Sequence, residues 1–395
     1  MISQRMYELG SKKSTIREIF EYAKQRAAIV GSENIFDFSI GNPSVPPPDC
    51  VNDSIREILA TEDSTQTHGY TTAHGDPIAR AAVAQFVNQK FGTDYTADHF
   101  YITVGAAASI RICLAALTNP GDEYIIFAPF FPEYAVWVED AGAKLNVVPA
   151  DTDSFQIDFA ALKQQINAHT KGIIVNSPNN PSGAVYSLDT IKQLAQILKE
   201  ASQEYGHPIF LIADEPYREI VYDGIQVPHL PLYYPNTLIC YSYSKALSLP
   251  GERIGYILVP PSVLRFADVY AAICGGGRVL GYVNAPSLFQ KVIARCGDQT
   301  SDISVYKKNR DLLYDGLTKM GYTCVKPGGT FYLFPRCLEA DAVYFCKKAQ
   351  QYDLLLVPGD DFACPGHFRI AYCVPTERIE RALPVFARLA KDYGL

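Results

Sequence analysis

The feature that most constrains the fold of this chain is the alternation of short apolar runs with stretches whose apolar residues recur at helical spacing. The first pattern is typical of buried strands and the second of helices. Strands that alternate with helices pair in a mostly parallel sheet, which the helices cover on both faces. We therefore predict an α/β fold, with strands at residues 100–104, 123–128, 143–148, 171–175, 209–213, 237–240 and 254–259.

Polar side chains follow three successive predicted strands. Asn180 follows the fourth strand, in a proline-rich turn. Asp214 and Tyr217 follow the fifth strand, and Lys245 follows the sixth. Polar residues at strand ends are often only turn formers. In open α/β sheets, however, ligands bind outside the carboxyl ends of the strands, so three such cases in a row predict a ligand site at this edge.

Lys245 is the most informative of these residues. It lies at the mouth of a predicted buried strand, after the alternating serines Ser242 and Ser244, and Arg253 follows it. Burial disfavours the charged form of a lysine, which lowers its pKa and makes the amine a nucleophile. Such an amine can form a Schiff base with an aldehyde cofactor. The alternative is an ordinary solvated lysine in a loop.

Two further segments have the features of binding elements. Gly105, Ala106 and Ala107 follow the first predicted strand and open a helix. Their backbone N–H groups and the helix dipole favour a phosphate, although the same residues also suit a tight strand-to-helix turn. Phe131 follows the second strand, where an aromatic ring is either a lid on the core or a stacking surface for a planar ligand.

Arg369 lies inside an apolar run near the end of the chain. An arginine buried without a partner is costly. It therefore pairs either with a nearby acid such as Asp361 or with the carboxylate of a ligand.

Composition excludes several classes of protein. The 395 residues include 35 Lys and Arg against 42 Asp and Glu, so the net charge of -7 leaves no basic footprint for nucleic acid. Ten cysteines without a Cys-x-x-Cys pair indicate the reduced thiols of a cytoplasmic protein. The histidines show no metal-binding spacing. No apolar run is long enough to span a membrane, and residues 1–13 have no signal-like apolar core.

The character of the sequence changes near residue 284. Helical patterns at 285–297 and 304–320 lead into predicted strands, which indicates a smaller α+β domain. Residues 15–30 also form a helical pattern, with Ser14 as a plausible N-cap. We predict a large domain at 48–283 and a small one at 284–395, to which an N-terminal arm, 1–47, belongs. The predicted strands of the small domain are 322–325, 330–334, 354–357 and 367–373.

Four motifs together resemble the class I/II aminotransferases, the fold-type I enzymes that use pyridoxal 5′-phosphate (PLP). They are Asn-Asn-Pro-Ser-Gly at 179–183, Asp-Glu-Pro-Tyr at 214–217, Ser-x-Ser-Lys at 242–245 with Arg253 eight residues later, and Arg-Ile-Ala at 369–371. The chain is most similar to the bacterial aspartate-aminotransferase-like branch. The resemblance implies a mostly parallel seven-stranded-type sheet sandwiched by helices, a smaller α+β domain, a homodimer and a role in amino acid metabolism.

The resemblance also implies roles for individual residues. Lys245 would hold PLP as a Schiff base, and Asp214 would pair with the pyridine nitrogen. Asn180 and Tyr217 would hydrogen-bond the phenolic oxygen of the ring, and Phe131 would stack on it. The remaining implied cofactor-binding residues, which would hold the phosphate, are Gly105, Ala106, Ala107, Ser242, Ser244, Arg253 and, from the neighbouring subunit, Tyr70.

The implied substrates are an L-amino acid and a 2-oxo acid. Arg369 would grip the α-carboxylate, with Gly41 and Asn180 beside it. Arg278 lies in a glycine-rich segment where related enzymes carry a second cation, which favours aspartate or glutamate with 2-oxoglutarate. The same residue also suits an ordinary surface arginine in a glycine loop, and this leaves aromatic or alanine-type substrates open.

The same fold and cofactor support other chemistry. One alternative is a PLP-dependent C–S lyase, because the scaffold does not choose the reaction. Another is a PLP-binding transcription regulator, in which this domain follows a DNA-binding head. The short stretch before Gly41 is not especially basic, which argues against the regulator.

Overall fold

The computed structural model describes residues 2–11 and 15–395. The helices are α1 (Gln4–Ser11), α2 (Thr15–Val30), α3 (Asp49–Thr61), α4 (Ser64–His68), α5 (Pro77–Phe91), α6 (Ala106–Leu117), α7 (Glu133–Asp140), α8 (Phe159–Gln165), α9 (Leu188–Tyr205), α10 (Tyr243–Ala246), α11 (Phe266–Leu280), α12 (Ser287–Cys296), α13 (Ser304–Lys319), α14 (Ala342–Gln350) and α15 (Thr376–Lys391). The strands are β1 (Phe36–Asp37), β2 (Phe100–Thr103), β3 (Glu123–Phe127), β4 (Lys144–Val148), β5 (Thr170–Asn176), β6 (Phe210–Asp214), β7 (Thr237–Ser242), β8 (Gly255–Leu258), β9 (Tyr332–Leu333), β10 (Leu354–Leu355), β11 (Val357–Pro358) and β12 (Phe368–Ala371). The helix expected at residues 15–30 is therefore present, while its expected N-cap, Ser14, lies outside the described residues.

A mostly parallel sheet forms the centre of the fold, which confirms the predicted α/β class. Within the described ranges it has seven strands in the order β2-β8-β7-β6-β5-β3-β4. Strands β3 to β7 are mutually parallel, and β8 runs antiparallel to both of its neighbours. Because Ser242 pairs with Gly255, β8 begins at the edge where β7 ends. The connection that carries Lys245 and Arg253 therefore stays at this edge.

The central sheet buries both of its faces. Successive side chains of a strand point to opposite sides, so Ile125 and Ile173 enter one apolar core while Ile126 and Ile174 enter another. The first core is completed by α5, α9 and α12, and the second by α6 and α11. This two-sided burial explains why the strands appear in the sequence as continuous apolar runs.

The glycine-rich segment around Arg278 is helical, not the loop that one interpretation of the sequence expected. It forms the last turns of α11, which packs along α6. A Cβ at Gly276 would lie 2.9 Å from the carbonyl oxygen of Ile112, and one at Gly277 would clash with the hydroxyl of Tyr101. Gly276 and Gly277 are therefore needed for close helix packing.

Residues from the two ends of the chain meet in a separate core, here called the terminal core, which includes Phe36, Phe38, Leu313 and Phe386. Strands β11, β12 and β9 form an antiparallel sheet there, and β1 pairs with β10 in parallel. The boundaries near residues 47 and 283 stay a prediction.

Three strand predictions in the C-terminal part need correction. Residues 322–325 are not a strand, because Tyr322 N closes the end of α13 by bonding to Leu317 O. The strand expected at 330–334 is reduced to β9, since Thr330 has a φ of 62°, outside the extended region. The strand expected at 354–357 divides into β10 and β11, which belong to different sheets.

In the ranges 2–11 and 15–395, no helix is both long enough and apolar enough to cross a membrane.

Candidate active site

A cleft of about 330 Å³ lies where β5, β6 and β7 end, between the central sheet and the terminal core. The residue that ends each of these strands, Asn176, Asp214 and Ser242, lines it. The sequence-predicted residues that the structure brings together here are Gly41, Ala106, Ala107, Phe131, Asn180, Asp214, Tyr217, Ser242, Ser244, Lys245, Arg253 and Arg369.

Lys245 lies on the short helix α10, whose N-cap is Ser242. Its Nζ donates a hydrogen bond of 2.8 Å to the carbonyl oxygen of Gly41 and lies 5.4 Å from the centre of the Phe331 ring. Burial, with a smaller contribution from Arg253 and Arg369, lowers the pKa of Lys245 to about 8. The neutral, nucleophilic fraction of this amine close to neutral pH is therefore much larger than that of an ordinary lysine.

Asp214 ends β6 and is only 6% exposed. Its Oδ2 accepts hydrogen bonds from the hydroxyl of Tyr134 and from Asn176 Nδ2, the latter at 3.3 Å. Its Oδ1 is buried and has no hydrogen-bond partner within the described residues. Burial raises the pKa of Asp214 to about 7, and the hydrogen bond from Tyr134 opposes that rise. A buried carboxylate oxygen without a partner is costly, which indicates that a donor from outside the chain completes the site.

The start of α6 has the geometry of an anion-binding turn. Gly105 is the N-cap and has a φ of 100°, which favours glycine. A Cβ at this position would lie 2.7 Å from Nη2 of Arg253, so the glycine also allows the guanidinium to approach. The N–H groups of Ala106 and Ala107 are in the first helical turn, where they have no partner within the helix.

Two serine hydroxyls extend this turn across the connection between β7 and β8. Ser242 Oγ and Ser244 Oγ are 2.8 Å apart, and Arg253 Nη1 donates to Ser244 Oγ at 3.3 Å. Hydroxyls, a guanidinium and helix-terminal amides are the donors that bind phosphate in proteins.

Arg369 projects from β12 into the cleft and is 3% exposed. It donates to Asn180 Oδ1 at 3.0 Å and to the carbonyl oxygen of Ser39 at 2.6 Å. No carboxylate of the described residues pairs with it, and its Nε has no partner there. Asp361, the alternative partner, accepts a hydrogen bond from Thr15 instead. The unpaired buried guanidinium therefore favours a ligand carboxylate.

Tyr332, Tyr134 and Asn176 are among the cleft residues that had no site role in the sequence analysis. Tyr332 Oη lies 3.0 Å from Tyr217 Oη, and the Tyr332 ring lies 4.6 Å from the guanidinium of Arg369. The other two are the donors to Asp214, Tyr134 and Asn176. The sequence signals were weak: an aromatic run, a strand end and a tyrosine after a glycine pair.

Tyr70 and Arg278 do not line the cleft of their own chain. Tyr70 is 97% exposed, and Arg278 is an exposed residue in the last turn of α11. Any contact that either makes with such a cleft would therefore be with that of a second copy.

Comparison with known proteins gives a consistent result. The family model for aminotransferase class I and II matches residues 33–386. The chain is 30% identical to the aspartate/prephenate aminotransferase of Thermus thermophilus over 354 residues, which are 88% of this chain and 89% of that protein. An aminotransferase structure from Eubacterium rectale matches with a TM-score of 0.98 and 59% identity over 100% of both chains. The aspartate aminotransferase of Thermus thermophilus with maleate matches with a TM-score of 0.85 and 27% identity, over 98% of this chain and 99% of that one.

Proposed function

Because this chain belongs to the class I and II aminotransferases, we propose that it moves an amino group from an L-amino acid to a 2-oxo acid, with PLP held covalently by Lys245. Enzymes of this family are PLP-dependent transferases of the EC 2.6.1 type. One observation supports this position of the cofactor more strongly than any other. The amine of Lys245, with its lowered pKa, and the unpartnered oxygen of Asp214 line the same cleft.

The residues of the cleft fit PLP at both ends. Asp214 Oδ1 offers an acceptor for the N–H of the pyridine ring. At the other end, the first turn of α6 with Arg253 offers donors for the phosphate. Phe131, Asn180 and Tyr217 also line the cleft. In this proposal Phe131 stacks on the ring, and Asn180 and Tyr217 hydrogen-bond its phenolic oxygen. When bound, PLP supplies an electron sink for the bonds at the amino acid's Cα.

Arg369 binds the substrate α-carboxylate in this proposal. Its planar guanidinium suits a carboxylate, and its free Nε adds a donor beside the two N–H groups already used. Asn180, which accepts from Arg369 Nη1, holds the fork in place. Fixing the carboxylate limits rotation of the substrate and directs its Cα–H toward Lys245.

Lys245 acts as the general acid and base at Cα. Its pKa of about 8 is close to the working pH, which is the condition for efficient proton transfer in both directions. The carbonyl of Gly41 holds Nζ at the wall of the cleft opposite the strand end. From there the neutral amine would take the proton from Cα of the donor amino acid. In the second half of the exchange the ammonium would deliver a proton to the carbon that becomes Cα of the new amino acid.

We propose aspartate or glutamate with 2-oxoglutarate as the substrates. The name of the Thermus thermophilus relative, aspartate/prephenate aminotransferase, supports an acidic substrate, and so does the Thermus thermophilus aspartate aminotransferase structure with maleate. Within the described residues, the cations that line the cleft are Lys245, Arg253 and Arg369, and each already has a role. A second substrate carboxylate therefore needs a cation from a homodimer partner, and the exposed Arg278 suits this task.

Apolar cleft walls favour a second candidate, an aromatic amino acid. Ile40, Ile110 and Trp137 line the cleft together with Phe131. A large apolar side chain bound there would gain by leaving water. This candidate keeps the mechanism and changes only the partner of the side chain.

The absorbance spectrum of the purified protein with PLP, before and after single amino acids, tests the proposal. We expect a visible band that changes with aspartate or glutamate and returns with 2-oxoglutarate. Lys245→Ala should remove the band, whereas Lys192→Ala, at an exposed lysine of α9, should keep it.

Other results would count against parts of the proposal. A change only with aromatic amino acids would remove the role of Arg278. Pyruvate and ammonia formed without an acceptor would indicate a lyase. A Lys245→Ala protein that still turns over would overturn the assignment of the lysine.

A further inference from the structure

We propose that Tyr134 is a positioning residue that determines which oxygen of Asp214 faces the cofactor and keeps that carboxylate ionised. Tyr134 acts through Asp214. The inference rests on the proposed function, because Asp214 is taken to pair with the PLP ring nitrogen. The comparisons and the motifs of the sequence assign no role to Tyr134.

The hydrogen bonds around Asp214 divide its two oxygens. Tyr134, 1% exposed in the first turn of α7, donates its hydroxyl to Oδ2. Asn176 Nδ2 donates to the same oxygen at 3.3 Å and to the backbone oxygen of Asp214 at 3.0 Å. Both donors are on one side, so Oδ1 alone is left for a partner.

The ring of Tyr134 is held by its neighbours. It makes edge contacts with Phe131 at 5.7 Å and with Trp137 at 5.8 Å between ring centres. Tyr134 N also donates to Phe131 O at 3.1 Å, and Arg111 donates to the carbonyl oxygen of Trp137 at 3.2 Å. The direction of the hydroxyl is therefore set by packing, as a positioning role requires.

The groups around Asp214 explain why a hydrogen bond from the Tyr134 hydroxyl affects its protonation. The titratable groups that face the Tyr134–Asp214 pair are Tyr217, after β6, and Cys240, on β7. Burial raises the pKa of both, so both are neutral near pH 7. Within the described residues, the groups that shift the pKa of Asp214 include no cation. The pKa of Tyr134 is raised well above its usual value, so this phenol donates a hydrogen bond and keeps its proton. Its hydrogen bond therefore opposes protonation of the buried carboxylate.

The test uses Tyr134→Phe, with Tyr186→Phe as the control, because Tyr186 is a buried tyrosine outside the cleft. The infrared band of the protonated Asp214 carboxyl, identified by its loss in Asp214→Asn, is followed against pH in the cofactor-free protein. The pH midpoint of the Asp214 titration should rise by about one unit in Tyr134→Phe, because a hydrogen bond to the charged carboxylate is lost. It should not change in Tyr186→Phe.

A second measurement compares the dissociation constants of PLP and of an analogue with carbon in place of the ring nitrogen. Wild type should prefer PLP, and Tyr134→Phe should lose about tenfold of that preference. If Tyr134→Phe does not fold, 3-fluorotyrosine at position 134, a stronger donor of similar size, should move the infrared midpoint downward.

The outcomes separate this inference from the proposed function. PLP binding with an unchanged midpoint and preference in the Tyr134 variants would overturn the positioning role and leave the proposed function standing. A wild-type protein that binds neither PLP nor the analogue would overturn the proposed function itself.

Discussion

The amine of Lys245 and the carbonyl oxygen of Gly41 are joined by a hydrogen bond of 2.8 Å across the cleft. Lys245 follows β7 of the central sheet, whereas the neighbours of Gly41, Phe38 and Val45, belong to the terminal core. The reactive amine is therefore held between the two parts of the molecule that form the cleft, and its capture by a ligand requires this bond to break.

The rate at which the cofactor-free protein captures PLP should rise with pH, with a midpoint near pH 8. The neutral amine is the nucleophile, and the pKa of Lys245 is lowered to about 8, so the neutral fraction grows through that pH. Stopped-flow absorbance measures the rate, with a blocked lysine as the control, whose midpoint lies at about 10.4. A midpoint for the protein close to that of the blocked lysine would contradict the lowering of the Lys245 pKa by burial.

Asp214→Asn should stabilise the cofactor-free protein, increasingly so as the pH rises from about 4 to about 7. Burial raises the pKa of Asp214 from its ordinary 3.8 to about 7, so in this window the unfolded chain binds fewer protons than the folded one. Stability therefore falls with rising pH, and the amide variant escapes that loss, which amounts to a few kcal/mol, roughly 1.4 for each unit. Thermal melts at several pH values in this window measure the stability difference between Asp214→Asn and wild type. A difference that does not depend on pH would contradict the raised pKa of Asp214 as its cause.

Arg278→Ala should lower kcat/KM for aspartate by about 10- to 100-fold and change it little for phenylalanine. The lost group is a charge-assisted hydrogen bond to the side-chain carboxylate, which only aspartate has. Arg369→Ala is the matched control, because the α-carboxylate is common to both substrates and both should lose activity. Equal loss for the two substrates in Arg278→Ala would reject its role in specificity.

Tyr70 should complete the phosphate site of a second copy, which mixed subunits can detect. Tyr70→Ala and Lys245→Ala chains, each weak or inactive alone, should regain activity when co-expressed and purified as a hybrid. One cleft of the hybrid then combines an intact Lys245 with Tyr70 from the other chain. Tyr70 is 97% exposed, as a residue that acts across an interface would be in the isolated chain.

The control for this experiment pairs Lys245→Ala with Asp214→Asn, two residues of one cleft. Both clefts of that hybrid carry a defect, so no activity should return. A Tyr70 hybrid that also stays inactive would show that Tyr70 does not act across subunits.

Alanine substitutions at two glycines of α11 should have opposite effects on the free energy of unfolding. A Cβ at Gly277 would clash with the hydroxyl of Tyr101, so Gly277→Ala should cost about 1–3 kcal/mol of unfolding free energy. Gly275 is in the same helix with nothing within 4 Å of the added atom, so Gly275→Ala should gain about 0.5–1 kcal/mol. Denaturant unfolding measures both, and similar effects at the two positions would refute the packing explanation.

The strand ends show how far sequence reasoning reaches. Lys245, Asp214 and Asn180 are each predictable as site residues, because a polar group after an apolar run is a local signal. Tyr134 is not, because its hydroxyl is recognisable only once α7 is packed beside the end of β6. The strand expected at 354–357 failed for a related reason: the apolar run is continuous, and only its pairing partners divide it between two sheets.

The sequence by itself determined the α/β class, the order along the chain of the strands of the central sheet, and the residues that follow their carboxyl ends, since periodicity and residue type carry that information locally. Only the tertiary structure decided which oxygen of Asp214 is left free, that Arg369 meets Asn180 instead of Asp361, and that the exposed Arg278 and Tyr70 do not line their own cleft. The physical reason is that these facts are distances between residues far apart in the chain. Close packing of whole helices and sheets sets such distances, and no local pattern encodes them.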